Sequence, residues 1–364
     1  MTRLIVAAGG GGDAVAAVML DAALYAGQSP ALVLTYAWDR LLIDRVPGPR
    51  GPGNFTGLRP ITRSVRAVPA GAEAVAPAGS TLPRLAAELP HTFALIDPHH
   101  GAEGIARQLE ELTEHLALES IDLLDVGGDI LARGDEPTLV SPLADALTLA
   151  ACCRVNTPVR LLVAGPGLDG ELPADVLRNR MGPAVLTLTA EHVEPAGRVL
   201  EWHPSEAAAM LAGTARGVRG LCEVVGAGRP VPLTGDSPTI HEAGLDDALN
   251  RNRLARAVLA TVSLEEAEQY SREICGFSEI DDERDKAMRL GSRPDHRLAP
   301  ESTLRRLDRF EAEARSRGIT HATFGRLTEA LGLNGTQRPD LQALLLGIRP
   351  EQYQSPLWHI PAEV

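Results

Sequence analysis

The sequence predicts an α/β fold with a mostly parallel β-sheet and helices on both of its faces. Short apolar runs alternate with helical patterns through the first half of the chain, which is typical of βαβ units. Two turns rich in glycine and aspartate, at residues 9–13 and 127–129, each follow an apolar run. In a parallel sheet such turns lie at the carboxyl ends of strands, where open α/β sheets bind ligands.

The apolar runs and helical patterns give the elements of the first half in order. Strands are predicted at residues 4–8, 31–37, 92–97, 121–126 and 159–164, and helices at 14–26, 82–89, 104–118, 142–153 and 173–180. Residues 47–60 are dense in proline and glycine, so they are predicted to be irregular, either as a disordered segment or as a binding lid.

The alternation weakens after residue 181. Strands are predicted at residues 185–188, 199–202 and 221–225, and helices at 205–215, 245–261, 263–274, 301–318 and 322–331. Residues 241–242 are interpreted as part of a turn, and the composition of residues 290–300 is that of a linker. We therefore expect an α/β domain over residues 1–300, with a core at 1–182 and a second part at 183–300, and a helical carboxyl-terminal extension at 301–364.

The composition argues against several classes of protein. With 364 residues the chain can bury a sizeable core. A net charge of −13 and an aromatic content of 3% argue against a nucleic-acid partner, which needs basic surfaces and stacking rings. No run of eighteen apolar residues occurs and the amino-terminal apolar stretch is too short for a secretory signal, so no membrane partner is expected. The four cysteines lack metal-ligand spacing, and we expect reduced thiols in a cytoplasmic protein, with a homodimer as an open alternative.

The first glycine turn has the sequence Gly9-Gly10-Gly11-Gly12-Asp13. It fits the pattern of dinucleotide-binding turns, although four consecutive glycines satisfy many patterns. Glycine lets backbone N–H groups approach an anion, which the amino end of a helix also attracts. Asp39 follows the second predicted strand, where dinucleotide-binding proteins place the acid that binds ribose. Two alternatives stay open: a tight turn without a ligand, and an Asp13 that only caps its helix.

The second turn carries two carboxylates around two glycines, in the sequence Asp125-Val126-Gly127-Gly128-Asp129. Asp125 closes an apolar strand, where a charge is costly unless it is paired, hydrogen-bonded or bound to a cation. Carboxylates at a strand end suit Mg²⁺ coordination or general base catalysis, so we assign these roles to Asp125 and Asp129. Further along, Glu136 and Ser141 are candidate ligand contacts, although Ser141 is more simply explained as a helix cap.

The third predicted strand ends in a further polar group that includes Asp97 and His99. If the strands are parallel, this group lies at the same edge of the sheet as the two turns. Asp97 and His99 are therefore candidate catalytic residues beside Asp125 and Asp129. Metal ligation is one possibility, and hydrogen bonding within a polar loop or to a substrate is the other.

The same residues carry a resemblance. The stretch from Asp125 to Asp145, the glycine turn at residues 9–13, and the segments at 38–40 and 47–50 together resemble the family of unknown function numbered eleven fifty-two. The resemblance covers roughly residues 1 to 300. It implies a Rossmann-like fold, and it implies no activity and no catalytic residue.

Three functions remain as hypotheses. The first is a transferase or hydrolase that binds an anionic small molecule (a nucleotide, phosphorylated sugar or activated amino acid) between the two turns, with Mg²⁺ as its possible cofactor. The second is an NAD- or FAD-dependent oxidoreductase, based on Gly9, Gly11, Ala14 and Asp39. The third is a non-catalytic ligand sensor or assembly partner that uses the carboxyl-terminal helices.

Overall fold

The computed structural model describes residues 2–226, 229–290 and 298–362. Its strands are β1 (Leu4–Ala7), β2 (Leu32–Thr35), β3 (Phe55–Thr56), β4 (Arg59–Pro60), β5 (Arg66–Ala67), β6 (Glu73–Ala74), β7 (Thr92–Leu95), β8 (Ile121–Val126), β9 (Val159–Ala164), β10 (Ala184–Thr187), β11 (Gly220–Glu223), β12 (Val231–Leu233), β13 (Thr239–Ala243), β14 (His321–Ala322), β15 (Tyr353–Gln354) and β16 (Leu357–His359). The α-helices are α1 (Gly12–Leu24), α2 (Leu82–Glu88), α3 (Gly101–Leu116), α4 (Pro142–Cys152), α5 (Ala174–Arg178), α6 (Ala190–Val193), α7 (Gly197–Leu200), α8 (Glu206–Ala215), α9 (Leu245–Arg251), α10 (Arg253–Val258), α11 (Leu264–Cys275), α12 (Glu279–Leu290), α13 (Pro300–Ser316), α14 (Phe324–Ala330) and α15 (Arg338–Ile348).

A large central sheet organises the molecule, with the strand order β10-β13-β9-β8-β1-β2-β7-β5-β4. The five strands from β9 to β7 in this order are parallel, and they are the five strands predicted in the first half of the chain. The strands at both ends of the sheet pair antiparallel. The prediction of an α/β fold with a mostly parallel sheet is confirmed.

Residues on alternate sides of β1 pack into two separate cores. Ile5 and Ala7 belong to a core completed by α1, α2 and α8. Leu4 and Val6 belong to a core completed by α3, α4, α10 and α11. Because both faces of the sheet are covered, the central strands are mainly apolar, as parallel strands usually are, with Asp122 and Asp125 of β8 and Arg160 of β9 as charged exceptions.

The carboxyl-terminal segment is not purely helical, which corrects the expectation for residues 301–364. It contains α13, α14 and α15, but it also supplies β14, β15 and β16 to a second sheet with the order β12-β11-β14-β16-β15. Trp358 on β16 is fully buried in a third core with Leu307 and Leu341. Strands of two or three residues are too short to show an alternating pattern, so the sequence did not reveal them.

Three other expectations in the second half are wrong. The run predicted as a strand at 199–202 begins within helix α7, because a short apolar run fits a strand and a helix equally well. The helix expected at 245–261 is divided into α9 and α10 at Asn252, whose side chain accepts from the N–H of Ala255 and caps the second helix. His241 and Glu242, interpreted as part of a turn, lie in strand β13. The linker expected at 290–300 lies largely outside the described residues.

Residues 47–60, which were predicted to be irregular, contain a 3₁₀ helix at Pro52–Asn54 and the short strands β3 and β4, and Arg50 holds the start of this segment in place. Its guanidinium donates to the backbone carbonyls of Val46 (3.0 Å) and Pro47 (2.5 Å). Its Nε lies 3.0 Å from Oδ2 of Asp44, and both side chains are buried.

Among the described helices, none combines the length and the apolar character that a membrane span requires.

Candidate active site

Three buried aspartates meet at the carboxyl ends of β1 and β8. Asp13 lies in the first turn of α1, Asp125 near the end of β8, and Asp145 in the first turn of α4. One carboxylate oxygen from each residue lies within 4.8 Å of those of the other two. Their exposed fractions are 7%, 2% and 5%. We call these three residues the aspartate cluster.

The order of the strands explains why the cluster forms. After β1 the chain continues through β2 and β7 on one side, whereas β8 and β9 lie on the other side of β1. The two βα connections therefore leave β1 and β8 in opposite directions, and this divergence opens a crevice at the carboxyl ends of the strands. The two glycine turns of the sequence analysis follow β1 and β8, which are neighbours in the sheet. Asp145 was not among the predicted site residues.

Three outer carboxylates surround the cluster: Asp129, Asp169 and Glu171. Asp129 lies next to Asp169, whose negative charge acts on it. Ser141 Oγ donates to Glu171 and lies 3.4 Å from Asp129 Oδ2. Glu171 also accepts from the N–H of Val140 (2.6 Å). The turn after β9 thus completes the site, and its residues Asp169 and Glu171 were not among the predicted site residues.

Burial raises the pKa of every aspartate in this group. For Asp13, Asp125 and Asp145, desolvation raises the pKa well above its usual range, and the nearest negative charge of the cluster adds to the effect. Asp129 behaves in the same way, next to Asp169. Burial, together with the charge of Glu171, raises the pKa of Asp169 to about 7. These groups cannot all be ionised without a compensating positive charge.

No positive side chain supplies that charge in the part of the chain that the structure describes. The ion pairs near this edge of the sheet use other carboxylates, such as Glu136 with Arg180. Four buried carboxylate oxygens have no hydrogen-bond partner: Asp125 Oδ2, Asp129 Oδ1, Asp145 Oδ1 and Asp169 Oδ2. A buried unpaired charge is costly, so the site must hold protons or cations. An array of carboxylate oxygens is the ligand set that Mg²⁺ and Ca²⁺ prefer.

The glycines of both turns make room for the protein's own atoms. Gly9 N–H donates to Asp13 Oδ2 (2.8 Å), and this bond holds the carboxylate in the cluster. Gly127 has φ +113°, and a methyl group added there would overlap the Asp169 carboxylate. A methyl group at Gly10 would lie 2.7 Å from the Trp38 carbonyl, and one at Gly128 2.7 Å from Leu177. Close packing around the carboxylates therefore accounts for these glycines.

Two predicted ligand contacts are engaged elsewhere, and neither predicted helix cap is observed. Asp39 accepts from the N–H (2.9 Å) and the Oγ1 (2.7 Å) of Thr81 at the start of α2. Glu136 accepts from the N–H groups of Arg133 and Gly134 and pairs with Arg180, so its pKa is lowered despite partial burial. Asp13 does not cap α1, and Ser141 does not cap α4, because the hydroxyl of Ser141 points to Glu171 instead.

Asp97 and His99 form a separate pair. His99 Nδ1 lies 2.8 Å from Asp97 Oδ1 at the end of β7, and this contact raises the pKa of His99 and lowers that of Asp97. Strand β7 is three positions away from β8, which places the pair roughly 14 Å from Asp125 at the usual strand spacing. The expected proximity of Asp97 and His99 to Asp125 and Asp129 is not observed, because the sequence does not give the order of the strands.

The hydrogen bonds from Thr81 indicate that Asp39 stabilises the start of α2. Removing the hydroxyl group of Thr81 tests this role. In Thr81→Val the Oγ1 donor to Asp39 is lost while the backbone donor stays. Because a hydrogen bond to a buried charged group contributes roughly 1.5–3 kcal/mol, we expect a lower unfolding free energy by that amount in urea titrations. Cation binding at the aspartate cluster should not change. An unaltered unfolding free energy would show that the hydrogen bond to Asp39 does not stabilise the start of α2.

The fold and the site thus define an α/β protein with a buried acidic centre at the carboxyl edge of its parallel sheet. The chain belongs to the family described as protein of unknown function (DUF1152), which matches residues 4–287. This confirms the resemblance found in the sequence. The matched range includes all of the aspartate cluster and the outer carboxylates. No curated protein and no solved structure gives a significant match.

Proposed function

We propose that the protein is a divalent-cation-dependent enzyme that transfers or hydrolyses a group of an anionic small molecule. The observation that carries the proposal is the aspartate cluster, whose oxygens converge within 4.8 Å without a basic partner among the described residues. Mg²⁺ typically joins one or two protein carboxylates to substrate phosphates. A bound cation also explains how an anion could approach so acidic a site.

The strand order supports a Rossmann-like fold for the parallel core. Numbered along the chain, the five parallel strands follow the order 3-2-1-4-5, which is the order of dinucleotide-binding and related doubly wound sheets. In such sheets the ligand binds at the point where the order reverses, which here lies between β1 and β8. The aspartate cluster occupies this point.

The residues divide into two roles in this proposal. Asp13, Asp125 and Asp145 would hold the cation, which would supply a positive charge for binding and polarising the anionic substrate. Asp129 acts as the general acid–base, since burial and the charge of Asp169 raise its pKa and so favour its protonated form. In hydrolysis, Asp129 would accept a proton from the attacking water as the new bond to oxygen forms. The leaving group would depart with a proton returned from the same carboxyl.

Calorimetric titration with Mg²⁺ and Mn²⁺ tests the proposal. We expect one tight site that is lost in Asp125→Asn and kept in Asp135→Asn, a matched change of an exposed carboxylate outside the cluster. Screening nucleotides, sugar phosphates and aminoacyl phosphates for turnover with and without Mg²⁺ then separates an enzyme from a sensor. Absence of cation binding in the wild-type protein would contradict the proposal.

A nicotinamide or flavin enzyme has weaker support. The strand order and the first glycine turn favour it, but both oxygens of Asp39 already accept hydrogen bonds from Thr81. A ribose hydroxyl would have to displace these bonds. Equilibrium dialysis with NAD(P)H decides this alternative, because saturable binding that disappears in Asp39→Asn would establish it.

The raised pKa of Asp169 gives a pH dependence with a defined sign. The pKa of its carboxyl is about 7 in the folded protein and about 3.9 in the unfolded chain. The contribution of Asp169 to stability is therefore complete below about pH 4 and is lost as the pH rises through 7. In EDTA, the wild-type protein should therefore lose stability relative to Asp169→Asn as the pH rises from about 4 to about 7.5. Urea titrations at several pH values measure this difference. Histidines contribute equally to both proteins and cancel, and a difference that does not vary with pH would contradict the assignment.

A further inference from the structure

A second polar group lies on the other side of the first glycine turn. Ser205 caps α8, its Oγ accepting from the N–H of Ala208 (3.2 Å). A methyl group added at Gly12 would overlap that same Oγ, so the amino ends of α1 and α8 meet there. The amino end of each helix carries a partial positive charge. The first turns also carry the buried acids Asp13 and Glu206, so the helix ends alone do not set the charge of this junction.

His203 brings an unpaired donor to this junction. Its ring is 2% exposed, and Nδ1 accepts from the N–H of Ser205 (3.3 Å). Burial and the charges of Arg338 and Arg40 lower the pKa of His203 to about 3, so the ring is neutral at pH 7. A neutral ring with its lone pair on Nδ1 carries its proton on Nε2. That Nε2 is buried and has no hydrogen-bond partner, so an N–H donor there lacks an acceptor.

Two arginines act on the same ring. Arg338, at the start of α15, donates through Nη1 to the carbonyls of His203 (3.0 Å) and Trp202 (3.2 Å). Its Nε is buried without a partner, and among the described residues no carboxylate pairs with it. Arg40 pairs with Glu206 at 2.9 Å, and about half of its side chain is exposed, so the group reaches the surface. Glu206 is also occupied by the N–H of Val225 and by Thr323.

We propose that His203, Arg338 and Arg40 form a subsite for a phosphoryl group of the substrate. The donors without acceptors, His203 Nε2 and Arg338 Nε, are the groups that phosphate oxygens satisfy, and guanidinium groups bind phosphate with well-matched geometry. The assignment of this group to the substrate rests on the proposed function. On that basis the substrate is a phosphorylated compound, with its phosphoryl group beside Gly12 and its reacting group at the aspartate cluster.

This subsite gives the carboxyl-terminal segment a role in binding. Arg338 lies outside residues 4–287, the range that matches the family, whereas His203 and Arg40 lie inside it. The segment before Arg338 packs on the loop after β2, since a methyl group added at Gly335 would lie 2.5 Å from Leu42 Cβ. Residues from both ends of the chain therefore enclose the junction between α1 and α8.

Pyrophosphate is the probe for the test, first in EDTA without any divalent cation. We expect Arg338→Met and Arg40→Gln to weaken its binding at least roughly tenfold in calorimetric titrations. Arg84→Met, which removes an exposed arginine paired with Glu88, is the matched control and should bind like the wild type. Because Arg40 is half exposed, Arg40→Gln should fold even if Arg338→Met does not. Wild-type affinity in both variants would overturn the proposal.

A second measurement follows the donor itself. In ¹⁵N-histidine-labelled wild-type protein, saturating pyrophosphate should shift the Nε2–H resonance of His203. An unchanged resonance would show that only water contacts this N–H group and would overturn the subsite.

The two proposals can fail independently of each other. Loss of pyrophosphate binding in the arginine variants without any cation binding would sustain the subsite and refute the cation centre. Cation binding without an effect of the arginine variants would do the reverse.

Discussion

Replacing Asp145 with asparagine is expected to weaken Mg²⁺ binding by at least about 100-fold, since even residues that only orient metal ligands often contribute tenfold to 100-fold. Asp145 is 5% exposed, and its Oδ1 has no hydrogen-bond partner. Burial and the charge of Asp13 raise its pKa. The substitution removes a negative charge that only a cation or a proton can compensate. The same change should therefore leave the protein in EDTA at pH 8 at least as stable as the wild type.

This pair of effects separates a cation ligand from an ordinary buried residue. A buried aspartate that serves the fold alone would destabilise the protein when it is replaced and would leave cation binding intact. Thermal unfolding at pH 8, with EDTA or with Mg²⁺, measures both effects in one experiment. Asp135→Asn is the control, because Asp135 is exposed and paired with Arg133. A marked destabilisation of Asp145→Asn in EDTA, with the stabilisation by Mg²⁺ retained, would refute the assigned role.

The change Gly127→Ala is expected to lower the unfolding free energy by about 2 kcal/mol or more, because φ at this position is +113° and the added methyl group overlaps the Asp169 carboxylate. Displacement of Asp169 should also disturb the neighbouring Asp129, on which the charge of Asp169 acts. The variant should therefore lose turnover even where it remains folded. Denaturation in urea gives the free energy, and a turnover assay on folded protein gives the second effect.

Gly235→Ala provides the matched control for Gly127→Ala. Gly235 lies in an exposed turn, and no atom lies within 4 Å of the position that its methyl group would take. We expect a change of less than about 0.5 kcal/mol for this variant. Equal unfolding free energies for the two alanine variants would show that the turn after β8 tolerates a side chain and that the geometry around Asp169 is relaxed.

The parallel core could be predicted from the sequence because its strands are continuous apolar runs that end in glycine turns. The observed bounds of β8 and β9 agree with the predicted ones. The assignment of Asp125 to the site used a physical argument, that a charge at the end of an apolar strand needs compensation. The same argument applies to Asp145, since α4 is otherwise apolar and is buried along its whole length. The sequence therefore contained this signal, although it was not used.

The positions of the other site residues depend on the order of the strands in the sheet, which no local sequence pattern gives. Asp169 and Glu171 join Asp129 because β9 pairs with β8, and Asp97 stays apart because β1 and β2 lie between β7 and β8. Strand order follows from the packing of the whole sheet, and one sequence does not specify it. The short strands of the second sheet form through pairing between distant residues, such as Cys222 with His321. Runs this short give no period of their own.

The most direct test of the cation centre is anomalous diffraction from crystals grown with Mn²⁺ at pH 8. We expect a single strong anomalous peak between Asp13, Asp125 and Asp145, with carboxylate oxygens about 2.1–2.3 Å from the ion. The unpartnered oxygens Asp125 Oδ2 and Asp145 Oδ1 should be among the ligands. No peak at this position at millimolar Mn²⁺, with the three carboxyl groups hydrogen-bonded to one another as protonated acids, would contradict the account.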